Sequence, residues 1–262
     1  MPDHKPVLIF IGGSDPSSGA GIQRDIITSS LFPITTYSVI TAVTSQSQTK
    51  FVALNPVSAD LVLEQLLSIK DEVISAIDSG CCCIKIGLLP SAEVVYAIHK
   101  SISECQWSRK GNLIVLDPVL VSSTGSDLND GRVLDALRLV KFFDCSVITP
   151  NLSELRTISR NSVDKDGSPY SLARELMSCG PQTVVVKSAY VSADLRRDLV
   201  CRSSSISILS GDNINGVDIH GSGCRYATVL SSHLLLNGGM GNLDRAAFAA
   251  KVYVSSEILT SR

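Results

Sequence analysis

The sequence predicts an α/β fold: a mostly parallel central sheet with helices on both faces and a small hairpin appended. Short continuous apolar runs such as Val7–Ile11 and Leu113–Leu116 recur along the chain, and a strand covered on both faces reads that way because neither face meets water. Between them lie stretches with apolar residues at helical spacing, as at positions 62, 63, 66, 67, 69, 73 and 74. No repeat, linker or low-complexity tract breaks the alternation, which argues for strand–helix–strand units and a single unit over residues 1–262.

Composition narrows the function. With 262 residues, 44% of them hydrophobic, and 18 glycines, the chain can bury a full core. A net charge of −2 offers no electrostatic footprint for nucleic acid or an anionic membrane, so neither is an expected partner. Eight cysteines accompany a polar start, and Val7–Ile11 is too short for a leader or a membrane span; a reducing cytoplasm is the expected location. Cys81-Cys82-Cys83 lacks paired metal-site spacing, and neighbouring side chains of a strand face opposite ways, so these cysteines are expected to pack in a strand.

The elements follow in order. Val7–Ile11 runs into the glycine-rich Gly12–Gly21 loop and a helix over Ile22–Leu31, with Asp25 in its first turn. The loop fits neither a P-loop nor a dinucleotide fingerprint, which disfavours a nicotinamide-dependent oxidoreductase. Tyr37–Ala42 is a strand ending in the polar loop Thr44–Gln48, which offers amides to a small heteroaromatic ligand, and Ala59–Ile74 a helix. Cys82–Ile86 is a strand, and a helix from an N-cap at Ser91 reaches Ser103. Leu113–Leu116 delivers Asp117 at its C-terminal end, the edge at which doubly wound sheets bind ligands. A polar loop over Ser122–Asp130, a helix over Arg132–Phe142 and a strand over Cys145–Thr149 lead to Pro150-Asn151-Leu152-Ser153-Glu154. A helix over Ser168–Ser178 precedes the strand Thr183–Lys187, which closes on a lysine. Leu199–Arg202 and Ser205–Leu209 form a hairpin, and the last two helices run to about Asn237 and from Asn242 to Leu259.

The stretch Asp218–Cys224 carries the chemistry. Gly221-Ser222-Gly223 before a buried helix points successive amides into one space, an anion hole suited to phosphate. Cys224 stands on the first turn, where the helix dipole favours thiolate. Phosphoryl transfer needs a metal on oxygen ligands, cations or amides for the phosphates, and a base for the attacking hydroxyl. Asp117, Asn151, Glu154, Lys187 and Cys224 supply these parts.

With those residues in view, the chain resembles the ribokinase-like superfamily and, within it, the hydroxymethylpyrimidine/phosphomethylpyrimidine kinases of thiamine biosynthesis. The resemblance rests on seven blocks in register: Gly13–Gln23 with Asp25, Val39–Ala42 leading to Gln46, Lys85–Leu89, Val115–Val119, Ile148–Glu154, Val185–Lys187 and His220–Cys224. It implies phosphorylation by ATP with magnesium of 4-amino-5-hydroxymethyl-2-methylpyrimidine, its monophosphate, or both. It also implies roles: Asp25 and Gln46 hold the pyrimidine's nitrogens, and Gly13 and Leu88 line its ring. Asp117, Asn151 and Glu154 organise magnesium and its waters, Lys187 touches the ATP phosphates, Gly221 to Cys224 form the anion hole, and Cys224 takes the proton. Relatives of this fold commonly form homodimers, so a homodimer is one expectation.

The chain departs from the family pattern at several points. Ser18 stands for glycine, Leu88 for methionine, Ser188-Ala189-Tyr190 for Gly-Gly-His, Asp218-Ile219 for Asn-Thr and Arg225-Tyr226 for Thr-Ser. Arg225 places a cation beside the anion hole, to aid phosphate binding or obstruct it. Two alternatives stand beside the kinase reading: pyridoxal phosphorylation in vitamin B6 salvage, and a non-catalytic ligand-binding protein on the same fold.

Overall fold

A computed structural model describes residues 5–107, 111–121, 125–159, 167–214 and 219–260. Asp218 and the start of the Ser122–Asp130 loop fall outside the described residues. The first half of the chain runs β1 (Val7–Ser14), α1 (Gly21–Ser29), β2 (Thr35–Gln46), β3 (Phe51–Pro56), α2 (Ala59–Ser68), α3 (Lys70–Asp78), β4 (Cys82–Ile86), α4 (Ala92–Glu104) and β5 (Leu113–Leu116). It continues through α5 (Val133–Leu139), β6 (Val147–Ile148), α6 (Leu152–Ile158), α7 (Pro169–Met177), β7 (Val184–Val191), β8 (Leu195–Cys201), β9 (Ile206–Asp212), α8 (Ser222–Leu236) and α9 (Leu243–Thr260).

One sheet holds the strands in the order β3-β2-β1-β4-β5-β6-β7-β8-β9. Strands β2, β1, β4, β5, β6 and β7 pair in parallel, and the antiparallel β3 and β8–β9 finish its two edges. The apolar strands alternate between two cores, as a sheet covered on both faces requires. Val7, Ile9 and Ile11 join the core under α2 to α7, whereas Leu8 and Phe10 join the core under α1, α8 and α9. The cysteine run behaves as expected of a strand: Cys82 enters the first core and Cys83 the second. No helix among the described residues is long and apolar enough to cross a membrane.

Several local expectations are corrected. Thr44–Gln46 belongs to β2 rather than to a loop, because its backbone pairs with β3, a half-exposed strand that composition did not mark. The expected Ala59–Ile74 helix is two helices broken at Ile69, whose backbone (φ −93°, ψ −5°) ends one and starts the next. Helix α5 stops at Leu139, because Lys141 to Asp144 turn with positive φ. Asp25 lies in the second turn of α1, and its first turn holds no acid. The strand expected over Cys145–Thr149 is shorter, β6 at Val147–Ile148, and Asn151 caps the start of α6. β7 continues past Lys187 through an irregular register between Val186 and Tyr190.

Two family departures have a backbone explanation. Ser18 and Ser188 adopt φ of +56° and +51°, the left-handed region that glycine enters without strain. The chain keeps the glycine conformations while carrying serine, at a cost of about 1 kcal/mol each. Neither hydroxyl has a hydrogen-bond partner among the described residues. Ser18→Gly and Ser188→Gly are therefore expected to stabilise the fold by no more than about 0.5 kcal/mol apiece once unfolded-state entropy is set against the relief, read as a slightly higher urea midpoint at unchanged slope.

Candidate active site

The C-terminal ends of β1, β2, β4, β5, β6 and β7 open on one cavity of about 660 Å³. It lies at the edge where the chain, having gone from β1 outward to β2, returns to β4 on the other side, the place at which doubly wound sheets bind ligands. Gly13, Gln46 and Leu88 line one end, Lys85, Asp117, Asn151, Glu154 and Lys187 the middle, and residues of β8, β9 and α9 the other end. Gly221 to Cys224 also face it, so the structure brings every predicted site residue to one cavity.

Two buried ion pairs form its floor. Lys85 Nζ donates to both oxygens of Asp25 at 3.1 and 2.9 Å, and Thr228 of α8 donates to Asp25 Oδ1 at 2.8 Å. Both charged partners are 1% exposed. Burial pulls the Lys85 ammonium down, but Asp25, with Cys224 and Asp117 adding to it, outweighs burial and keeps it charged. Asp25 thus faces the cavity with its oxygens already engaged, which sets it apart from a free acceptor for a ligand's amino group. Lys85 was not singled out from sequence, although a lysine inside the apolar Cys82–Ile86 run is the same signal that marked Lys187.

The second pair is Lys187 Nζ on Asp117 Oδ1 at 2.7 Å, with Thr149 donating to the same oxygen at 3.0 Å. Burial pushes the Asp117 carboxyl up, but the charges of Lys187 and Lys85 hold it below the usual range. Its Oδ2 is buried and has no hydrogen-bond partner among the described residues. A Cβ at Gly223 would stand 3.3 Å from Lys187 Nζ and 3.4 Å from that Oδ2, so glycine leaves open the space between the helix start and the pair.

Asn151 and Glu154 cap α6 reciprocally. Asn151 Oδ1 accepts from the Glu154 amide at 2.8 Å, and Glu154 Oε2 accepts from the Asn151 amide at 2.7 Å. This capping box locks the Glu154 side chain at the cavity wall, and the Lys187 amide donates to Pro150 O alongside at 2.8 Å. Burial drives the Glu154 carboxyl up to about 7, with Lys187 opposing and Asp117 reinforcing the rise.

The start of α8 is fixed by a clasp between the first and last loops. Gly221 has φ +76°, and any Cβ there would collide with Gly19 O, so only glycine allows the approach. His220 Nε2 lies 2.9 Å from Asp15 Oδ2, which also accepts from the Ala20 amide and the Ser17 hydroxyl. Arg225 turns away from the cavity: its Nη1 donates to Gly19 O and His220 O, and its Nε lies 3.4 Å from Glu257 of α9. It therefore braces the clasp and neither receives nor blocks an anion. Asp15, His220 and Thr228 were not singled out from sequence, because polar residues in a glycine-rich loop read as turn chemistry.

Cys224 is corrected in its acidity. It occupies the first turn of α8 as expected, yet burial pushes its thiol up to about 11, with Lys85 pulling down and Asp25 and Asp117 pushing further up. The helix terminus is real, but desolvation and two nearby carboxylates outweigh it. At the other end, Leu88 packs with Ala42 and Leu128 and covers Gly13, where a Cβ would meet Leu88 Cδ2 at 2.5 Å. Gln46 ends β2 beside this apolar floor, its side-chain amide without a partner among the described residues.

Against this geometry the comparisons are decisive. The family model described as phosphomethylpyrimidine kinase matches residues 15–261. The chain belongs to the phosphomethylpyrimidine kinase family. It is 30% identical to the hydroxymethylpyrimidine/phosphomethylpyrimidine kinase of Rhizobium meliloti over 96% of this chain and 90% of that protein. It is 29% identical to a thiamine biosynthesis bifunctional protein of Geobacter sulfurreducens, over 96% of this chain but about half (49%) of that longer protein. A structure of pyridoxal kinase from Staphylococcus aureus in complex with AMP-PCP superposes with a TM-score of 0.76 at 25% identity, covering 97% of this chain and 88% of that one. The ribokinase-like fold and a phosphotransferase activity follow from this membership.

A magnesium ion fits the residues present. Among the described residues no group of three or more His, Cys, Asp or Glu side chains converges. Two carboxylates, one with a buried oxygen lacking a partner, nonetheless match a hard cation that keeps most of its waters and completes its shell with phosphate oxygens. In metal-free protein, Glu154 is expected to bind a proton in the folded state between its unfolded value near 4.5 and about 7. The folded state then holds more protons than the unfolded one, so this group makes stability fall as pH rises through that window. Glu154→Gln should remove the fall, of order 3 kcal/mol at most, in urea titrations at pH 5 and pH 8; an equal pH slope in both proteins would contradict it.

Proposed function

We propose that the protein transfers the terminal phosphoryl group of ATP, with magnesium, to the hydroxymethyl group of 4-amino-5-hydroxymethyl-2-methylpyrimidine and to the phosphate of its monophosphate. The observation that carries this is a single cavity of about 660 Å³, with an apolar end beside Gln46 and a second end lined by residues of β8, β9 and α9. The two meet where Lys187, Gly223 and the unpartnered Asp117 Oδ2 surround the start of α8. Both reactants of a phosphoryl transfer then face one anion hole in line.

In this reading Leu88 and Gly13 cover the pyrimidine ring and Gln46 pairs with its nitrogens. Asp25 acts through Lys85, holding the ammonium under the acceptor oxygen. The acceptor oxygen attacks the γ-phosphorus as the bond to the ADP oxygen breaks, and the charge on the moving group meets Lys187 and the amides of Gly221, Gly223 and Cys224, the Ser222 amide being held by Ile219 O at 3.1 Å. Magnesium, held by Asp117 and Glu154 with Asn151 organising its waters, would supply further charge neutralisation. Cys224 receives the hydroxyl proton. It can do so only as the thiolate, a minor form in the ligand-free site because burial raises its pKa to about 11; in a loose transition state the proton leaves late, so charge stabilisation supplies most of the rate and a small thiolate fraction suffices.

The test offers hydroxymethylpyrimidine, its monophosphate and pyridoxal to purified protein with ATP and magnesium, with products identified by mass. A pyrimidine diphosphate supports the reading, turnover of pyridoxal alone moves it to B6 salvage, and no turnover by folded protein favours a non-catalytic binder. Cys224→Ala should lower kcat by about 10²–10⁴-fold with KM for the pyrimidine little changed. Retained turnover would remove the thiol from the proton path. Gly223→Ala should also lower kcat at least about 10-fold while the protein stays folded, because the added methyl narrows the space between Lys187 and Asp117 by contact alone.

A further inference from the structure

Among the described residues that line the cavity, Arg196 is a cation that the mechanism does not use and that no carboxylate pairs. Arg196 begins β8 opposite Val191 of β7 and Gly211 of β9 and lines the cavity. Its Nε is buried and has no acceptor among the described residues. Arg196 as a whole is half-buried, whereas Lys85, Lys187 and Lys251 of the same cavity are each matched to an aspartate. Two carboxylates line the same end, but Asp198 is taken by Lys251 at 3.0 Å and by the Ser188 amide at 2.9 Å, and Asp212 forms no ion pair with Arg196. A buried donor left unmade is expensive, which points to an acceptor that arrives from outside the chain.

Position identifies the acceptor. Along β7, Val191 lies four residues beyond Lys187, on the order of 10 Å from the phosphate cradle. The walls there are apolar, with Val191, Ile214, Val254 and Ile258 facing the cavity. A flat ring seated among these side chains, with its phosphates at Lys187, would present its edge to Arg196. Guanidinium has donors only and a planar fork, so it suits ring nitrogens and carbonyls and stacks on ring faces.

We propose that Arg196 anchors the base end of the nucleotide and sets its base preference, donating Nε–H to an acceptor on the purine. This rests on the phosphotransferase reading above. Guanine offers two adjacent acceptors on the edge where adenine offers one acceptor and a donor, so Arg196 makes the slot accept guanine nucleotides at least as well as adenine nucleotides.

Calorimetric binding of ADP and GDP to the full chain, with no turnover involved, tests this. Arg196→Met should weaken both by about 10–100-fold, the worth of a charge-assisted hydrogen bond, with the larger loss for GDP. Arg196→Lys should recover little of the loss, because the planar fork is gone. The ligand-free Arg196→Met protein should melt at or above the wild-type temperature, since an unpartnered buried donor has been deleted. Unchanged nucleotide affinity in the variant overturns the assignment, as does a lowered melting temperature that tracks the loss of binding, which would mark a merely structural arginine. A wild-type protein that binds neither nucleotide overturns the phosphotransferase reading itself, an outcome separate from a variant that binds as well as wild type.

Discussion

The site depends on two lysines buried at strand ends against two aspartates. Removing Lys85, Asp25, Lys187 and Asp117 from water is costly, and the cost is offset only where each charge finds its partner in good geometry. Here the pairs are further tied by Thr228 and Thr149, so positive and negative groups stand fixed before any ligand arrives. A cavity with that pre-set field does not have to reorganise when charge moves through it. The remaining open valence, Asp117 Oδ2, lies between Lys187 and Gly223, where the two ends of the cavity meet.

The architecture explains how the residues converge. Each parallel strand ends at the same edge, so residues far apart in sequence, from Gly13 to Lys187, arrive together without any of them being close along the chain. Helix α8 is brought to that edge by the clasp of Gly221 on Gly19, His220 on Asp15 and Arg225 on both loops. Arg225 extends the clasp to Glu257 of α9. A family departure that read as either an aid or an obstacle to phosphate binding instead holds the anion hole in place, and Ser18 and Ser188 preserve backbone shapes that glycine would adopt freely.

Much of this was legible in the sequence, for physical reasons that also define its limits. Doubly buried strands announce themselves as apolar runs, and their ends located Asp117, Asn151 and Lys187. Strand β3 escaped although Phe51–Leu54 is apolar, because that run is only four residues long, follows a polar stretch and closes on Asn55-Pro56. Helices α2 and α3 read as one because their apolar stripe continues across Ile69, where only the backbone changes. Lys85 escaped because its partner, Asp25, lies sixty residues away. The acidity of Cys224 was misjudged because helix position is local, whereas burial and the approach of Asp25 and Asp117 are tertiary.

The central claim is that phosphoryl transfer takes place at the start of α8, between Lys187 and Cys224. The most direct measurement is a crystal structure of the protein with ADP, magnesium, aluminium fluoride and hydroxymethylpyrimidine. The account predicts the planar fluoride between the ADP and hydroxymethyl oxygens, held by Lys187 and the amides of Gly221, Gly223 and Cys224, with the metal on Asp117. Fluoride bound elsewhere, or a pyrimidine oriented with its hydroxymethyl group away from Cys224, would contradict it.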